Sequence, residues 1–274
     1  MQDRVLGNGL KVSAVGLGCM GFSHAYGRPT EKKEAISLIQ QAADMGYTFF
    51  DTAEVYGTPE DPHQNEVFVG EALKRRRDKV VIATKFGIRF DLESSEVNKP
   101  LVPDSRPEDT MRRAHGICPV TAIQNRYSMM ARWYESLFPV LEELHIGYMA
   151  FSPLANGFLT ARYGKDSSFE AGSDYRSIMP QFTPEAMEQN KDLLDLLKKL
   201  AEEKSCAPGQ VSLAWMLCKK PYIVPIPGTR KAGRLRENAA AADITLSPQE
   251  ISELDKALDS MAMSDVFGGT KVRK

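Results

Sequence analysis

The chain has 274 residues, 42% of them hydrophobic and 26% charged, an ordinary composition for a globular protein. Its 35 basic and 36 acidic side chains leave a net charge of −1, so no global field draws it to nucleic acid or to an anionic membrane. No apolar run approaches the ~20 residues needed to cross a bilayer, and the opening MQDRVLGNGLKVS lacks the apolar segment of a signal peptide.

In chain order, a β-hairpin is expected from Val5 to Val12, turning at Asn8-Gly9. The first core strand is VSAVGLG. A helix follows from Thr30, which serves as its N-cap, with Ile36, Ile39 and Ala43 on one face. YTFFDTA is the second strand and NEVFVGEALKRRR the next helix; KVVIATK, a continuous apolar run, is a strand buried on both faces. PDSRPEDTMRRAHGICPV supplies one helix, capped by Ser105, with Pro107 in its first turn and Gly116 as its stop. VTAIQNRYS, IGYMAFSPL and YIVPIPGT are the remaining strands. Helices are expected in WYESLFPVLEEL, in EAMEQNKDLLDLLKKLAEEK, in PGQVSLAWMLCKK, in KAGRLRENAAA and in SPQEISELDKALDSM.

This alternation implies parallel βα units, an α/β fold in one domain spanning 1–274. Six core strands are counted, whereas a closed (β/α) barrel has eight. The four cysteines, Cys19, Cys118, Cys206 and Cys218, are widely spaced and form no CxxC pair. They suit reduced thiols in a cytoplasmic protein.

GLGCMG satisfies the dinucleotide pattern GxGxxG, but such a site needs a helix to begin at once. FSHAYGRP follows instead, with Gly27 and Pro29 opposing helix formation, so the run reads as a glycine-rich loop closing a strand. Asp51 ends the second strand and Lys85 the third, on the face where parallel barrels carry their active sites. Charges there are costly unless paired. Asp51 and Lys85 can pair, with Tyr56 beside them on the loop; an adjacent ammonium favours the phenolate and makes a tyrosine a better proton donor. A plain buried ion pair beside a core tyrosine remains the alternative. Thr229, Arg230 and Arg234 surround a strand-to-helix junction with free amides and bidentate donors, which reads as a phosphate site. The alternative there is a solvated basic helix start, and Lys74–Arg77 is only a charged last helical turn. The histidines, His24, His63, His115 and His145, show no metal-ligand spacing, and neither GxSxG nor a Walker loop occurs.

Taken together, GLGCMG, FFDTAEVYG, ATKFG, RRAH-ICPVTAIQNRYSMM, FSPLANGFLT and IPGTRKAGRLREN resemble the aldo-keto reductases, in the branch that reduces aldehydes with NADPH. The resemblance implies a TIM (β/α)8-barrel type of fold and hydride transfer from NADP(H) to a small-molecule aldehyde or ketone. It makes Tyr56 the general acid, tuned by Lys85 and Asp51. Gln124 would contact the nicotinamide carboxamide, and Phe151 would stack on the ring. Ser152 and Leu154 would line the pyrophosphate; Thr229, Arg230 and Arg234 would take the 2′-phosphate, and Glu237 and Asn238 the adenine.

In one respect the chain departs from the family. A fourth strand ending in a histidine should separate SRPE from RRAH, followed by a fifth strand with a second carboxamide ligand. At about 30 residues per βα unit, about two units are missing after Glu108, and the fourth catalytic residue has no counterpart. An incomplete barrel has exposed strand edges, so distortion or homo-oligomerisation is expected. Two functions stay open: an NADPH-dependent carbonyl reductase of impaired activity, and a catalytically inactive derivative that binds NADP(H) in a binding or regulatory role. A Rossmann dehydrogenase is a distant third.

Overall fold

A computed structural model of the chain describes residues 1–85, 88–95, 100–103, 121–143 and 145–266. The helix expected in 105–116, with His115, Cys118 and the junction after Glu108, lies outside the described residues.

The hairpin forms from β1 (Asp3–Leu6) and β2 (Leu10–Ser13), antiparallel with Leu6 opposite Leu10. It plugs one end of the molecule. Arg4 donates to the carbonyls of Leu217 and of Lys220, the latter at 2.7 Å, so carbonyls left open at the end of a helix find a donor. Leu6 lies against Gly147, where a Cβ would stand 2.6 to 2.9 Å from Leu6 atoms, its Cα included. Only a glycine lets the plug come that close.

All six expected core strands are present: β3 (Leu17–Gly18), β4 (Phe49–Asp51), β5 (Val81–Ala83), β8 (Ala122–Arg126), β9 (Gly147–Phe151) and β10 (Ile223–Pro225). They form two three-stranded parallel sheets, β3-β4-β5 and β10-β9-β8. A parallel bridge between Gly18 and Gly228 joins them. The spatial order is therefore β5-β4-β3-β10-β9-β8, six strands around a shared interior filled by Leu6, Val12, Phe49, Val224 and Ile226. Val81 and Ala83 of β5 and Ala122 of β8 pack on that same cluster, so the two ends of the row face one core. Among the described residues neither β5 nor β8 pairs with a strand on its other side, and both are largely half-buried while β4 and β10 are buried. A short antiparallel pair, β6 (Ile88–Phe90) and β7 (Leu101–Pro103), stands in the loop after β5.

Helices cover the outer face. α1 (Lys32–Asp44) and α2 (Gln64–Leu73) bury Leu38, Ile39, Phe68 and Val69. α3 (Phe138–Glu143), α4 (Pro184–Gln189), α5 (Lys191–Glu203), α6 (Pro208–Lys219) and α8 (Pro248–Ser260) enclose a second cluster around Trp215 and Tyr127; α7 (Ala232–Ala240) follows β10.

The structure differs from the sequence reading at three helices, the first being WYESLFPVLEEL, where a 3-10 turn at Glu135–Leu137 precedes the α-helix that starts at Phe138. Thr30 is not a cap: α1 starts at Lys32, and the Thr30 amide is bonded at 2.6 Å to the Phe22 carbonyl, which holds the chain outside the helix. The pattern EAMEQNKDLLDLLKKLAEEK is two helices rather than one, broken at Asn190. That residue is buried and exchanges hydrogen bonds with Ser264, donating to its hydroxyl at 2.7 Å and accepting from its amide at 3.0 Å. GLGCMG does open a loop: Met20–Phe22 make one 3-10 turn, and residues 23–31 pass before α1 begins at Lys32.

Candidate active site

Parallel strands bring their C-terminal ends to one rim. Asp51 ends β4, and Lys85 stands two residues past β5, so the two side chains meet there. The Lys85 ammonium donates to both Asp51 carboxylate oxygens at 2.7 and 2.8 Å and to the Thr52 carbonyl at 3.0 Å. It also lies 4.9 Å from the centre of the Tyr56 ring. Gln124, projecting from β8 at the far end of the row, donates to Asp51 Oδ1 at 2.7 Å.

Burial raises the Asp51 pKa, and the Lys85 ammonium and the Gln124 amide pull it only part of the way back. Burial works the other way on Lys85, but Asp51 and Tyr56 outweigh it and hold the ammonium above its ordinary pKa. The Tyr56 phenol is raised by burial, and Lys85 offsets part of that rise. The ammonium alone would bring the phenol pKa down, as its place in the sequence suggests, but desolvation is the larger effect, so Tyr56 keeps its proton at neutral pH.

The loop that carries Tyr56 is fixed by a buried polar chain. Thr52 donates to Asn65 Oδ1 at 2.7 Å, Asn65 Nδ2 donates to Ser23 Oγ at 2.6 Å and to the Cys19 carbonyl at 2.9 Å, and Ser23 Oγ donates to the Tyr56 carbonyl. His24 Nδ1 lies 3.2 Å from the Gly57 carbonyl, which places the proton on that nitrogen. Its ring runs parallel to that of Tyr56, 16° apart with centres at 6.3 Å, and burial lowers its pKa. Gly57 is required: a Cβ there would stand 1.9 Å from the Asp61 carbonyl oxygen.

A cavity of about 630 Å³ opens above this cluster and runs to the start of α7. Of the residues named from the sequence, Asp51, Tyr56, Phe151, Ser152, Leu154, Thr229, Arg230, Arg234, Glu237 and Asn238 line it. Lys85 and Gln124 stand behind Asp51. Ser152, Ala155 and Asn156 all have positive φ, 52°, 47° and 61°, unusual for residues with a Cβ and a sign that the wall is held against local preference. At the far end, Arg230 donates to the carbonyls of Tyr26 (2.7 Å) and Arg28 (3.1 Å), and Glu237 pairs with Arg162 at 2.6 Å. The Arg234 Nε is buried without a partner among the described residues. An arginine fork held short of its donors, with a hydroxyl and open amides beside it, suits a phosphate.

A model of the Aldo/keto reductase family matches residues 14–108 and 102–259. A soybean (Glycine max) protein named probable aldo-keto reductase 1 is 33% identical to this chain, covering 95% of it and 89% of the soybean protein. The glycerol dehydrogenase of Gluconobacter oxydans superposes with a TM-score of 0.77 at 22% identity, over 98% of both chains. An aldo-keto reductase from Klebsiella pneumoniae, solved in complex with NADPH, superposes with a TM-score of 0.62 at 20% identity, over 94% of this chain and 96% of that one. Fold and family together define an oxidoreductase on a TIM-barrel type of scaffold. The chain belongs to the aldo/keto reductase family.

Ser23, His24, Asn65 and Arg126 also stand at this rim, and none of them has an assigned role in the sequence pattern. Arg126 could have been found: it lies two residues beyond Gln124 on β8, and alternate residues of a strand share a face. The others are brought in by loops and by α2, and no local pattern marks them.

Proposed function

We propose that the chain reduces the carbonyl group of a small aldehyde or ketone with NADPH, Tyr56 supplying the proton. The observation that carries this reading is the Asp51–Lys85–Tyr56 cluster at the floor of a cavity whose other end offers Thr229, Arg230 and Arg234. A binding module has no use for a protonated phenol held over a buried ion pair.

NADPH, when bound, supplies the hydride. Thr229, Arg230 and Arg234 hold its 2′-phosphate, with Glu237 and Asn238 against the adenine, Ser152 and Leu154 along the diphosphate, and Phe151 flanking the nicotinamide. Gln124 would be the carboxamide contact by resemblance; in the structure it donates to Asp51. Tyr56 donates its proton to the carbonyl oxygen as negative charge develops there, and Lys85, fixed by Asp51, stabilises the phenolate left behind. The free thiols of Cys19, Cys206 and Cys218 suit the cytoplasm as the place of action.

An internal deletion after Glu108 belongs to the same proposal. It is supported by the division of the family match at 14–108 and 102–259, and by a soybean match that extends over 316 residues against 274 in this chain. It favours a second reading, a chain that binds NADP(H) without turnover. Among the described residues His24 is the one histidine in the cavity wall, and its Nδ1 proton is committed to Gly57. NADPH consumption with small aldehydes, set against Tyr56→Phe, decides between the two readings. Turnover abolished in the variant supports the reductase. Cofactor fluorescence that titrates with no turnover in the unaltered chain establishes the second reading.

A further inference from the structure

Arg126 is 9% exposed, yet it has no acidic partner among the described residues. One of its terminal nitrogens donates to Ser152 Oγ at 3.0 Å, and its guanidinium carbon lies 5.0 Å from the centre of the Phe151 ring. Its Nε is sealed from solvent and bonded to nothing among the described residues. Two other cations near the rim are each paired with an acid. Arg176, in the same wall, is bidentate with Asp174 at 2.9 and 2.5 Å, and Lys85 has Asp51. A guanidinium has five donor hydrogens and is not deprotonated in proteins, so an interior site that satisfies so few of them is costly. Ser152 does not neutralise the charge: its hydroxyl is neutral, accepting from Arg126 at 3.0 Å and donating to Asn156 Oδ1 at 3.2 Å. The planar fork matches two oxygens of one anionic group. Burial lowers the Arg126 pKa, and the neighbouring ionisable group that opposes this is the Tyr26 phenol.

We propose that Arg126 is an anion-binding residue in the wall of this cavity, taking the oxygen atoms of a carboxylate or phosphate group on a molecule that enters there. The assignment of that molecule rests on the reductase reading. Two sources bring such oxygens to this wall: the diphosphate of the dinucleotide, and a carboxylate on the carbonyl substrate. Ser152 points to the first source and Phe151, at the nicotinamide end, to the second.

The test uses the full chain with Arg126→Met and Arg126→Lys. Thermal unfolding without ligand comes first: removing an uncompensated charge leaves the midpoint of Arg126→Met unchanged or higher. A lower midpoint restored by Arg126→Lys assigns Arg126 a structural role and overturns the proposal. NADPH titration by fluorescence then reads the cofactor arm, where Arg126→Met weakens binding at least tenfold if the diphosphate is the occupant. The substrate arm compares stabilisation of the NADPH-saturated protein by 5-oxopentanoate and by its methyl ester, which needs no turnover. If the carboxylate is the occupant, the acid stabilises the unaltered chain more than the ester does, and Arg126→Met erases the difference. Should Arg126→Met not fold, Arg126→Lys carries both arms, with a smaller loss because its ammonium binds one oxygen rather than two. No effect in either arm overturns the proposal. A chain that does not bind NADPH refutes the reductase reading instead, and Arg126 is then judged by the acid–ester difference without cofactor.

Discussion

Replacing Lys85 by methionine leaves the Asp51 carboxylate, its side chain 5% exposed, with the Gln124 amide as its remaining side-chain donor. Breaking a buried pair from one side costs about 3–5 kcal/mol. The Lys85 side chain is 31% exposed, so water already screens part of the attraction and the lower end, about 3 kcal/mol, is expected. At a urea slope of about 3 kcal/mol/M the unfolding midpoint falls by about 1 M. The loss depends on pH in a defined direction. Asp51 is already raised by burial, and without Lys85 it rises further. An acid whose folded pKa exceeds its unfolded value is penalised in full above the folded pKa, and the penalty is relieved as pH falls toward the unfolded one. Lys85 itself is raised, so its contribution is complete below 10.5 and stays constant across the acidic and neutral range. The deficit of Lys85→Met is therefore larger at pH 8 than at pH 5. Urea unfolding followed by the fluorescence of buried Trp215 measures it at both values. Lys85→Met/Asp51→Asn, which removes the stranded charge, recovers most of the stability. Equal deficits at both pH values, or a further loss in the double variant, would refute the claim that a stranded carboxylate is the cause.

Tyr56→Phe lowers kcat by a factor on the order of 10²–10⁴, the range for a lost general acid, and leaves the NADPH dissociation constant within about twofold. Because burial holds Tyr56 above its ordinary value of 10.0, carbonyl reduction stays level through neutrality and declines only above that pH; a decline centred near 7 removes Tyr56 as the acid. Gly147→Ala drives a methyl group into Leu6 and costs about 1–3 kcal/mol, read as a lower thermal midpoint, because the contacts include the Leu6 backbone. Among the described residues β5 and β8 each lack a partner strand on one side, which predicts self-association that grows with concentration, measured by analytical ultracentrifugation. A chain that sediments as a monomer at all concentrations rules it out.

How much of the site could be read in advance differs from residue to residue. Asp51 and Lys85 were legible because each follows an apolar run, and parallel strands send their C-terminal ends to one rim. Arg230 and Arg234 were legible from a strand-to-helix junction. Gln124 was singled out, but its bond to Asp51 was not foreseen, since 73 residues separate the two and no periodicity couples them. The break at Asn190 escaped notice for the same reason: locally the segment is a good amphipathic helix, and its interruption is set by Ser264.

The sequence by itself determined the six parallel strands and, among the described residues, most of the helices between them, because apolar periodicity is a local property of the chain. It also determined which charged side chains reach the rim, since strand ends place them there. Tertiary structure alone decided the balance of charge at that rim. Burial rather than Lys85 sets the state of Tyr56; His24 and Ser23 fix its loop from another strand's end; and Arg126 is closed in with no acid among the described residues. Each of these follows from desolvation and from partners distant in the chain, which depend on how elements pack and not on what any one of them contains.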